Sequence, residues 1–190
     1  NDDHENESTN IQLNQDLSKM QFQYLSDLKA EFKKFSGIMN QDSVRIPSSE
    51  AVKHLSEEDI CLPIESYQDP IVVAFTVILD NKKSNKTCSS LIGTMCNCIK
   101  SEVITGEALS TIVRKLETFQ ELDNNTTLQI IQFSTLIIGN HFLEMDIFQS
   151  ILSLILSYCT SYDSVVSTSA IAASDQIISS FLDFSQNKND

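Results

Sequence analysis

The sequence predicts an all-α protein built as an array of about seven to eight helices. Glycine and proline are scarce, with four and three residues in 190, which disfavours a turn-rich β architecture. From Asp69 onward, apolar residues recur at helical spacing in segments of about 10 to 20 residues, joined by short polar links. Two helices per roughly 40 residues is the rhythm of armadillo and HEAT arrays, so we expect a right-handed array of that kind.

The chain begins with a polar tail and one long helix. Residues 1–10 are acidic and lack apolar periodicity, so we expect them to be disordered. A helix is predicted from about Gln12 to Ser36, where Gly37 is a plausible stop. Its apolar stripe consists of Leu13, Leu17, Met20, Tyr24, Leu28, Phe32 and Phe35. This helix opens a single helical domain that we place at residues 11–185, with a polar tail at 186–190.

The pattern weakens over residues 38–68. Ser48 or the serine after it would cap a short helix through Leu55. Pro47 and Pro63 indicate loops on either side of that helix. We therefore predict a short helix within an otherwise irregular segment.

The sequence pattern from Asp69 to Phe119 predicts three helices. Asp69 and Pro70 match an N-cap and the first helical position, and they open an apolar helix over residues 71–79 that we expect to be buried on nearly every side. The second helix ends near Lys100 and has the stripe Cys88, Leu91, Ile92, Met95 and Ile99. Thr105 is the expected cap of the third, whose inward residues are Leu109, Ile112, Val113, Leu116 and Phe119.

Three further helices with wide apolar faces are predicted between Thr126 and Phe184. Two of the stripes are Leu128, Ile130, Ile131, Phe133, Ile137, Ile138 and Phe142, then Ile147, Ile151, Leu152, Leu154, Ile155, Leu156 and Tyr158. The last helix has the stripe Val166, Ala170, Ala173, Ile177, Phe181 and Phe184. A second row, Ile171, Ile178 and Leu182, lies about 100° away. We expect this row to contact another protein; the alternative is that it belongs to the core.

The charge is uneven along the chain. The net charge is −13, and the stretch from Leu116 to Asn187 has eight acidic residues but no Lys or Arg. Such a surface repels phosphate backbones, so we expect no nucleic-acid partner. No uninterrupted apolar run reaches the roughly 18 residues that span a bilayer, which favours a soluble domain.

No stretch carries a catalytic constellation, so we expect a protein that is not an enzyme. His4, His54 and His141 have no helically spaced metal-binding partner, and we expect His141 to be a hydrogen-bonded core or cap residue. The five cysteines indicate reduced core residues of a cytoplasmic protein, because their spacing matches no redox or zinc motif. We accordingly expect no cofactor and no metal; a small helical enzyme or metal-binding module would show bound metal on analysis.

Four local patterns carry a resemblance to a known family, and together they cover about residues 11–185. They are Leu25-x-x-Leu28-x-x-Glu31-x-Lys33-Lys34, Ser101-Glu102-Val103-Ile104-Thr105, Leu128-Gln129 before an apolar run, and Ala170-Ile171-Ala172-Ala173-Ser174-Asp175-Gln176-Ile177-Ile178 closing at Leu182-Asp183. The chain resembles the N-terminal DCB (dimerisation and cyclophilin-binding) domain of the large Arf guanine-nucleotide exchange factors. It is most similar to their non-catalytic Golgi scaffold relative, the Mon-two branch named for monensin sensitivity. Phe184 stands where an Arg usually follows the final acid.

The resemblance implies an armadillo-like interaction and dimerisation domain of a scaffold in Golgi–endosome vesicle trafficking and vacuole organisation. It implies a homodimer, with a Dopey-type protein, a P4-type flippase and an Arf-like small GTPase as partners. It also implies a cytoplasmic protein bound peripherally and indirectly to trans-Golgi and endosome membranes. The alternative is a regulatory DCB domain of a catalytic large Arf exchange factor, which an exchange-factor domain further along the full-length chain would establish.

Overall fold

The computed structural model describes the backbone of residues 2–57, 60–81, 86–118, 122–140 and 145–187. Within these ranges, the side chains of 2–18, 86–87, 139–140 and 184–187 are not described. The helices are α1 Asp2–Ser36, α2 Asp42–His54, α3 Pro70–Asn81, α4 Lys86–Lys100, α5 Gly106–Glu117, α6 Asn124–Asn140, α7 Met145–Tyr158 and α8 Ser164–Asn187. The predictions for His4, Leu13, Leu17, Phe119, His141, Phe142 and Phe184 concern positions outside the described side chains.

The prediction of an all-α protein is confirmed, since the described residues form eight helices and no strand. The helices make two rows. In one row α1, α4, α6 and α8 contact each other in that order, and in the other α2, α3, α5 and α7 do so. Contacts between α1 and α2 join the rows at one end, and contacts between α7 and α8 join them at the other. The armadillo or HEAT type of the array and its right-handedness stay predictions.

The first two helices differ from the sequence prediction in their bounds. Helix α1 starts at Asp2 instead of near Gln12, while the side chains of residues 1–18 lie outside the described part. The disorder expected for residues 1–10 stays a prediction. Further along α1, the predicted stripe is correct for Leu28, Phe32 and Phe35, which are buried, whereas Met20 is half exposed.

Helix α2 corrects the prediction for residues 38–68. It begins at Asp42 and contains Pro47, which the sequence had indicated as a loop residue. Val44, Ser48 and Ala51 are buried, and α2 contacts both α1 and α3. A proline inside a helix loses one backbone hydrogen bond, but burial of an amphipathic face against two neighbours offsets that loss.

A short backbone pairing ties the irregular segment before α3 to the link between α4 and α5. The N–H of Ile64 donates to the Val103 carbonyl at 2.8 Å, and the N–H of Thr105 donates to the Ile64 carbonyl at 3.0 Å. Thr105 occupies the predicted cap position of α5, but its side chain makes no capping bond. Instead the Glu65 carbonyl accepts the Ala108 N–H at 3.0 Å. A distant loop therefore helps to cap α5.

The core is one cluster of buried apolar residues to which all eight helices contribute. The largest fully buried side chains come mainly from α1, α3 and α4, and they include Phe32, Phe35, Phe75, Leu28, Ile71, Ile78, Leu79, Leu91, Ile92, Met95 and Ile99. Of the nine residues from Ile71 to Leu79, six are buried, two are half-buried and Val73 is exposed, so the helix is enclosed on most sides, as predicted, but not on the side of Val73. Packing of this density is what holds helices of only 12 to 15 residues in place.

Candidate protein-contact surface on the last helix

Helix α8 lies at the end of the array and packs on one side only. It contacts α6 and α7, and its buried stripe is Val166, Ala170, Ala173 and Ile177. Phe181 of α8 stacks on Phe148 of α7, with ring centroids 4.4 Å apart and an interplanar angle of 27°. The described part of the predicted stripe is thus buried or, at Phe181, partly buried.

The second apolar row of α8 lies on the protein surface. Ile171, Ile178 and Leu182, which we call the α8 row, have exposed fractions of 51%, 42% and 53%. Their spacing of seven and four residues keeps them within about 40° of one another on the helix. The alternative in which the row belongs to the core of this chain is therefore wrong. Large aliphatic side chains that stand in a row on a surface mark candidate interaction sites.

The start of α8 is held by Asp163. One oxygen of its carboxylate accepts the N–H groups of Val165 and Val166, both at 3.0 Å. The other oxygen accepts the Asn124 side-chain amide at 2.7 Å, which links the starts of α6 and α8. This cap satisfies two of the N–H groups that a helix start leaves without partners, and it fixes the direction in which the α8 row points.

One acidic group lies beside the α8 row. Asp175 falls between Ile171 and Ile178 along the helix and within about 60° of the row around it, whereas Asp183 lies about 100° to 140° from the row; both are exposed. Neither carboxylate has a hydrogen bond or ion pair among the described residues. Because no Lys or Arg occurs between Leu116 and Asn187, no cation of this stretch offsets their charge.

Glu117 is likewise exposed without a hydrogen bond or ion pair among the described residues, but Asp123, Asp146 and Asp163 of this part of the chain have structural partners. Asp146 pairs with Arg114 of α5, and Asp123 accepts the N–H of Thr126 at 3.1 Å. A hydrogen bond from Ser89, together with those from Thr126, holds the pKa of Asp123 below its usual value against the opposing effect of burial. Asp175 and Asp183 therefore differ from these residues, because no contact within the described fold employs them.

A groove lies between α4 and α6. Its volume is about 230 Å³, and its lining consists of Gly93, Cys96, Asn97, Lys100, Gln129, Gln132, Phe133 and Leu136. Cys96 is the one thiol in this lining, and burial, followed by the nearby Cys98, raises its pKa to about 12. A thiol with that pKa stays protonated at neutral pH and is a poor nucleophile. We assign no reaction to this groove.

The remaining cysteines do not form a site among the described residues. None of the five cysteines, all of which are described, forms a disulfide bond, and Cys88, Cys96 and Cys98 are buried as predicted, whereas Cys61 is exposed. Burial, with a smaller contribution from the Asp27 carboxylate, raises the pKa of Cys98 to about 12. Among the residues described here, no group of three or more His, Cys, Asp and Glu side chains could hold a metal ion.

His54 has an arrangement that sequence reasoning missed. Its Nε2 lies 3.2 Å from Asp69 Oδ2, and its Nδ1 lies 3.4 Å from Glu57 Oε2. Asp69 Oδ1 meanwhile accepts the Ile71 N–H at 2.9 Å, as the predicted N-cap of α3 should. His54 therefore ties the end of α2 to the start of α3. The two partners lie 3 and 15 residues further along the chain, and only the fold brings Asp69 to the ring.

Helix α8 is also long enough and apolar enough to be a candidate membrane span. Its segment Ser164–Asp183 is, by length and average composition, the one described helix able to cross a bilayer. Serines and threonines interrupt its apolar residues, so it contains no long uninterrupted apolar run. In the structure the apolar side chains divide between a stripe packed on α6 and α7 and the exposed α8 row, with Asp175 in the middle of the helix.

The chain matches no family model, no curated protein and no solved structure. The resemblance to DCB domains therefore stays a prediction based on the four patterns quoted above. What the structure adds is the position of the residues: the pattern Ala170 to Ile178 lies on α8, with its alanines Ala170 and Ala173 inside and Ile171 and Ile178 outside.

Proposed function

We propose that this chain is a non-catalytic protein-interaction and dimerisation domain, and that the α8 row is its contact surface. The observation that supports this function is the exposure of Ile171, Ile178 and Leu182 on the terminal helix of the array. In stacked helical proteins, a terminal unit that ends the array carries a polar outer face. Helix α8 instead presents aliphatic side chains there, which is typical of an end that another helix or protein covers.

The wider role that we propose is the one implied by the resemblance to DCB domains. The domain belongs to a scaffold that acts in Golgi–endosome vesicle trafficking and vacuole organisation, on the cytoplasmic side of trans-Golgi and endosome membranes. Its proposed partners are a second copy of the chain, a Dopey-type protein, a P4-type flippase and an Arf-like small GTPase. Membrane association in this proposal is peripheral and indirect, since α8 uses one apolar face for packing within the domain.

The first experiment is the absolute solution mass by light scattering over a range of protein concentrations. We expect a concentration-dependent rise from 21.3 kDa toward twice that value. The variant Ile178→Asp should remove the rise, because a carboxylate in the α8 row makes contact with an apolar partner unfavourable. Loss of the rise with an unchanged melting temperature would locate the self-contact on this row.

A matched control variant distinguishes a lost contact at the α8 row from a general effect of added charge on α8. Gln176→Asp places the same charge on an exposed position of α8, about 160° around the helix from Ile178. It should leave the mass profile unchanged. A wild-type chain that stays at 21.3 kDa at every concentration, and that does not retain the following region of the full-length protein in a pull-down, would contradict the proposed function.

A further inference from the structure

The α8 row has the dimensions of a docking site for one helix. From Ile171 to Leu182 it extends about 17 Å, at about 1.5 Å per residue. Apart from Asp175, the exposed and half-exposed positions that flank it are small, namely Ser164, Ser167, Thr168, Ala172 and Ser179. Small flanking side chains leave the row as a ridge, and a ridge fits the groove between side chains of a second helix at an axial distance of about 8 to 10 Å.

The charge beside the row selects between possible occupants. Asp175, which lies next to the row, is exposed and unpaired among the described residues, and the stretch from Leu116 to Asn187 contains no Lys or Arg. A partner helix with Lys or Arg along the edge of its apolar face would gain from this carboxylate. A partner with acidic edges would be repelled, and an anionic lipid surface would be repelled for the same reason.

A second copy of α8 would bind the row against the repulsion of like charges, so self-association is the weaker of the two contacts proposed for the row. In a two-fold symmetric contact the same patch meets itself, so Asp175 would lie near its own copy. Like charges brought together across an interface oppose binding and are relieved only by salt. Self-association through the row is thus expected to strengthen with salt, whereas binding of a basic partner is expected to weaken.

We infer that the α8 row is a docking site for a basic amphipathic helix, an assignment that rests on the proposed function of the row as a contact surface. The apolar face of the partner covers Ile171, Ile178 and Leu182. Its Lys or Arg side chains lie beside Asp175. The occupant is thereby defined by its chemistry: a helical segment with aliphatic residues at spacings of three and four and with cations next to them.

The test uses two peptides that differ only in charge. The first is a fluorescent amphipathic helix of about 14 residues, which covers about 21 Å, with leucines on one face and lysines at both edges of that face. In the second, every lysine is replaced by glutamate. Binding to the whole chain is measured by fluorescence anisotropy, at low salt and near physiological salt. We expect the lysine peptide to bind at least about tenfold more tightly than its twin, with the difference shrinking as salt increases.

Variants of the chain assign this binding to the row. Ile178→Ser removes an aliphatic contact without adding charge and should weaken the lysine peptide, while Gln176→Ser, on the other side of α8, should not. Asp175→Asn should bring the two peptides to similar affinity, while Asp183→Asn, on the side of Gln176, should not. A lysine peptide that binds all variants equally would overturn the inference.

Two further results would also overturn the inference, and they are distinguishable from failure of the proposed function. If both peptides bind equally and Ile178→Ser weakens both, the row is an apolar contact surface that does not select its partner by charge. The proposed function would then be retained, and the inference of a basic partner would be wrong. Co-sedimentation with neutral phosphatidylcholine vesicles, abolished by Ile178→Ser, would mean that the row contacts lipid. Failure of the proposed function itself is read from the light-scattering and pull-down experiments.

Discussion

Helices α3 and α8 are both rich in apolar residues, yet the structure uses them in opposite ways. In α3, Ile71, Val72, Ala74, Phe75, Ile78 and Leu79 are all buried, and the helix contacts α2, α4 and α5. In α8 one apolar stripe is buried against α6 and α7, whereas the α8 row stays exposed. The number of neighbouring helices differs, and with it the fraction of apolar surface removed from water.

This difference teaches that apolar content and burial are separate properties in an array of helices. An interior helix has neighbours in its own row and in the other row, so most of its apolar side chains become core. A terminal helix lacks one neighbour, so the same kind of side chain stays available for a partner. The comparison leads to four predictions, each of which removes one interaction from α3, from α8 or from a helix that supports them.

The largest expected effect is that of Phe75→Ala in α3. Phe75 is fully buried, so its truncation leaves a cavity in a region enclosed by several helices. We expect the free energy of unfolding to fall by about 3 to 5 kcal/mol, measured by urea denaturation. A loss below about 1 kcal/mol, the size expected for an exposed site, would show that α3 is not enclosed as described.

The neighbouring residues Ile177 and Ile178 test the two sides of α8 directly. Ile177 has no exposed surface and Ile178 is 42% exposed, so the same substitution to alanine samples a buried and an exposed site one residue apart. Ile177→Ala should cost about 2 to 5 kcal/mol. Ile178→Ala should change stability by about 0.5 kcal/mol or less, since alanine favours the helix and little packing is lost. Equal losses in urea denaturation would refute the assignment of two different faces.

The N-caps of α3 and α8 should contribute about equally to the free energy of unfolding, although α3 is more buried than α8. Asp69 accepts the Ile71 N–H in α3, and Asp163 accepts the N–H groups of Val165 and Val166 in α8. Each Asp→Ala substitution should cost about 1 kcal/mol in urea denaturation, because each leaves helix N–H groups without their partner. Each Asp→Asn substitution is the control and should preserve most of the stability. A much larger loss at Asp69 would show that its contact with His54 dominates.

The smallest expected effect concerns Asp123, which caps α6, the helix on which α8 packs. Its pKa is lowered in the folded state by hydrogen bonds from Ser89 and Thr126, relative to a usual value of 3.8. A depressed folded pKa stabilises the protein above about pH 4, and this contribution is lost as the pH falls through the folded pKa. In the variant Asp123→Asn, the free energy of unfolding should therefore fall less steeply as the pH drops below about 4.

A matched variant checks the origin of this acid effect. Asp175→Asn removes the same charge from an exposed position that has no partner among the described residues. Thermal melts at several pH values should show the shallower acid limb for Asp123→Asn but not for Asp175→Asn. The same slope in both variants would mean that net charge, and not the hydrogen bonds of Asp123, is responsible.

Much of the fold was predictable because strong local signals agreed with the final packing. The Asp69-Pro70 start of α3 and the alanine-containing stripe of α8 were predicted from cap chemistry and helical periodicity, and the structure confirms both. Helix α2 was placed incorrectly because Pro47 is a local signal for a loop. Its burial between α1 and α3 is a long-range effect that no window of sequence contains.

The candidate site was predictable in part, because part of it depends only on local helical geometry. The angular position of Ile171, Ile178 and Leu182 follows from helical geometry alone. Whether that face meets water or another helix depends on how many neighbours α8 has, and local periodicity carries no such information. The connection of His54 to Asp69, and that of the Ile64 backbone to residues 103 and 105, likewise required the tertiary arrangement.

The amino-acid sequence by itself determined the helical class of this protein, its apolar stripes, the start of α3 and the acidic character of its C-terminal part. These properties depend on residues a few positions apart, where backbone geometry and capping act. The tertiary structure decided which stripes became core and which became surface. It left the α8 row exposed because burial requires a neighbouring helix, and within the described chain the array ends at α8.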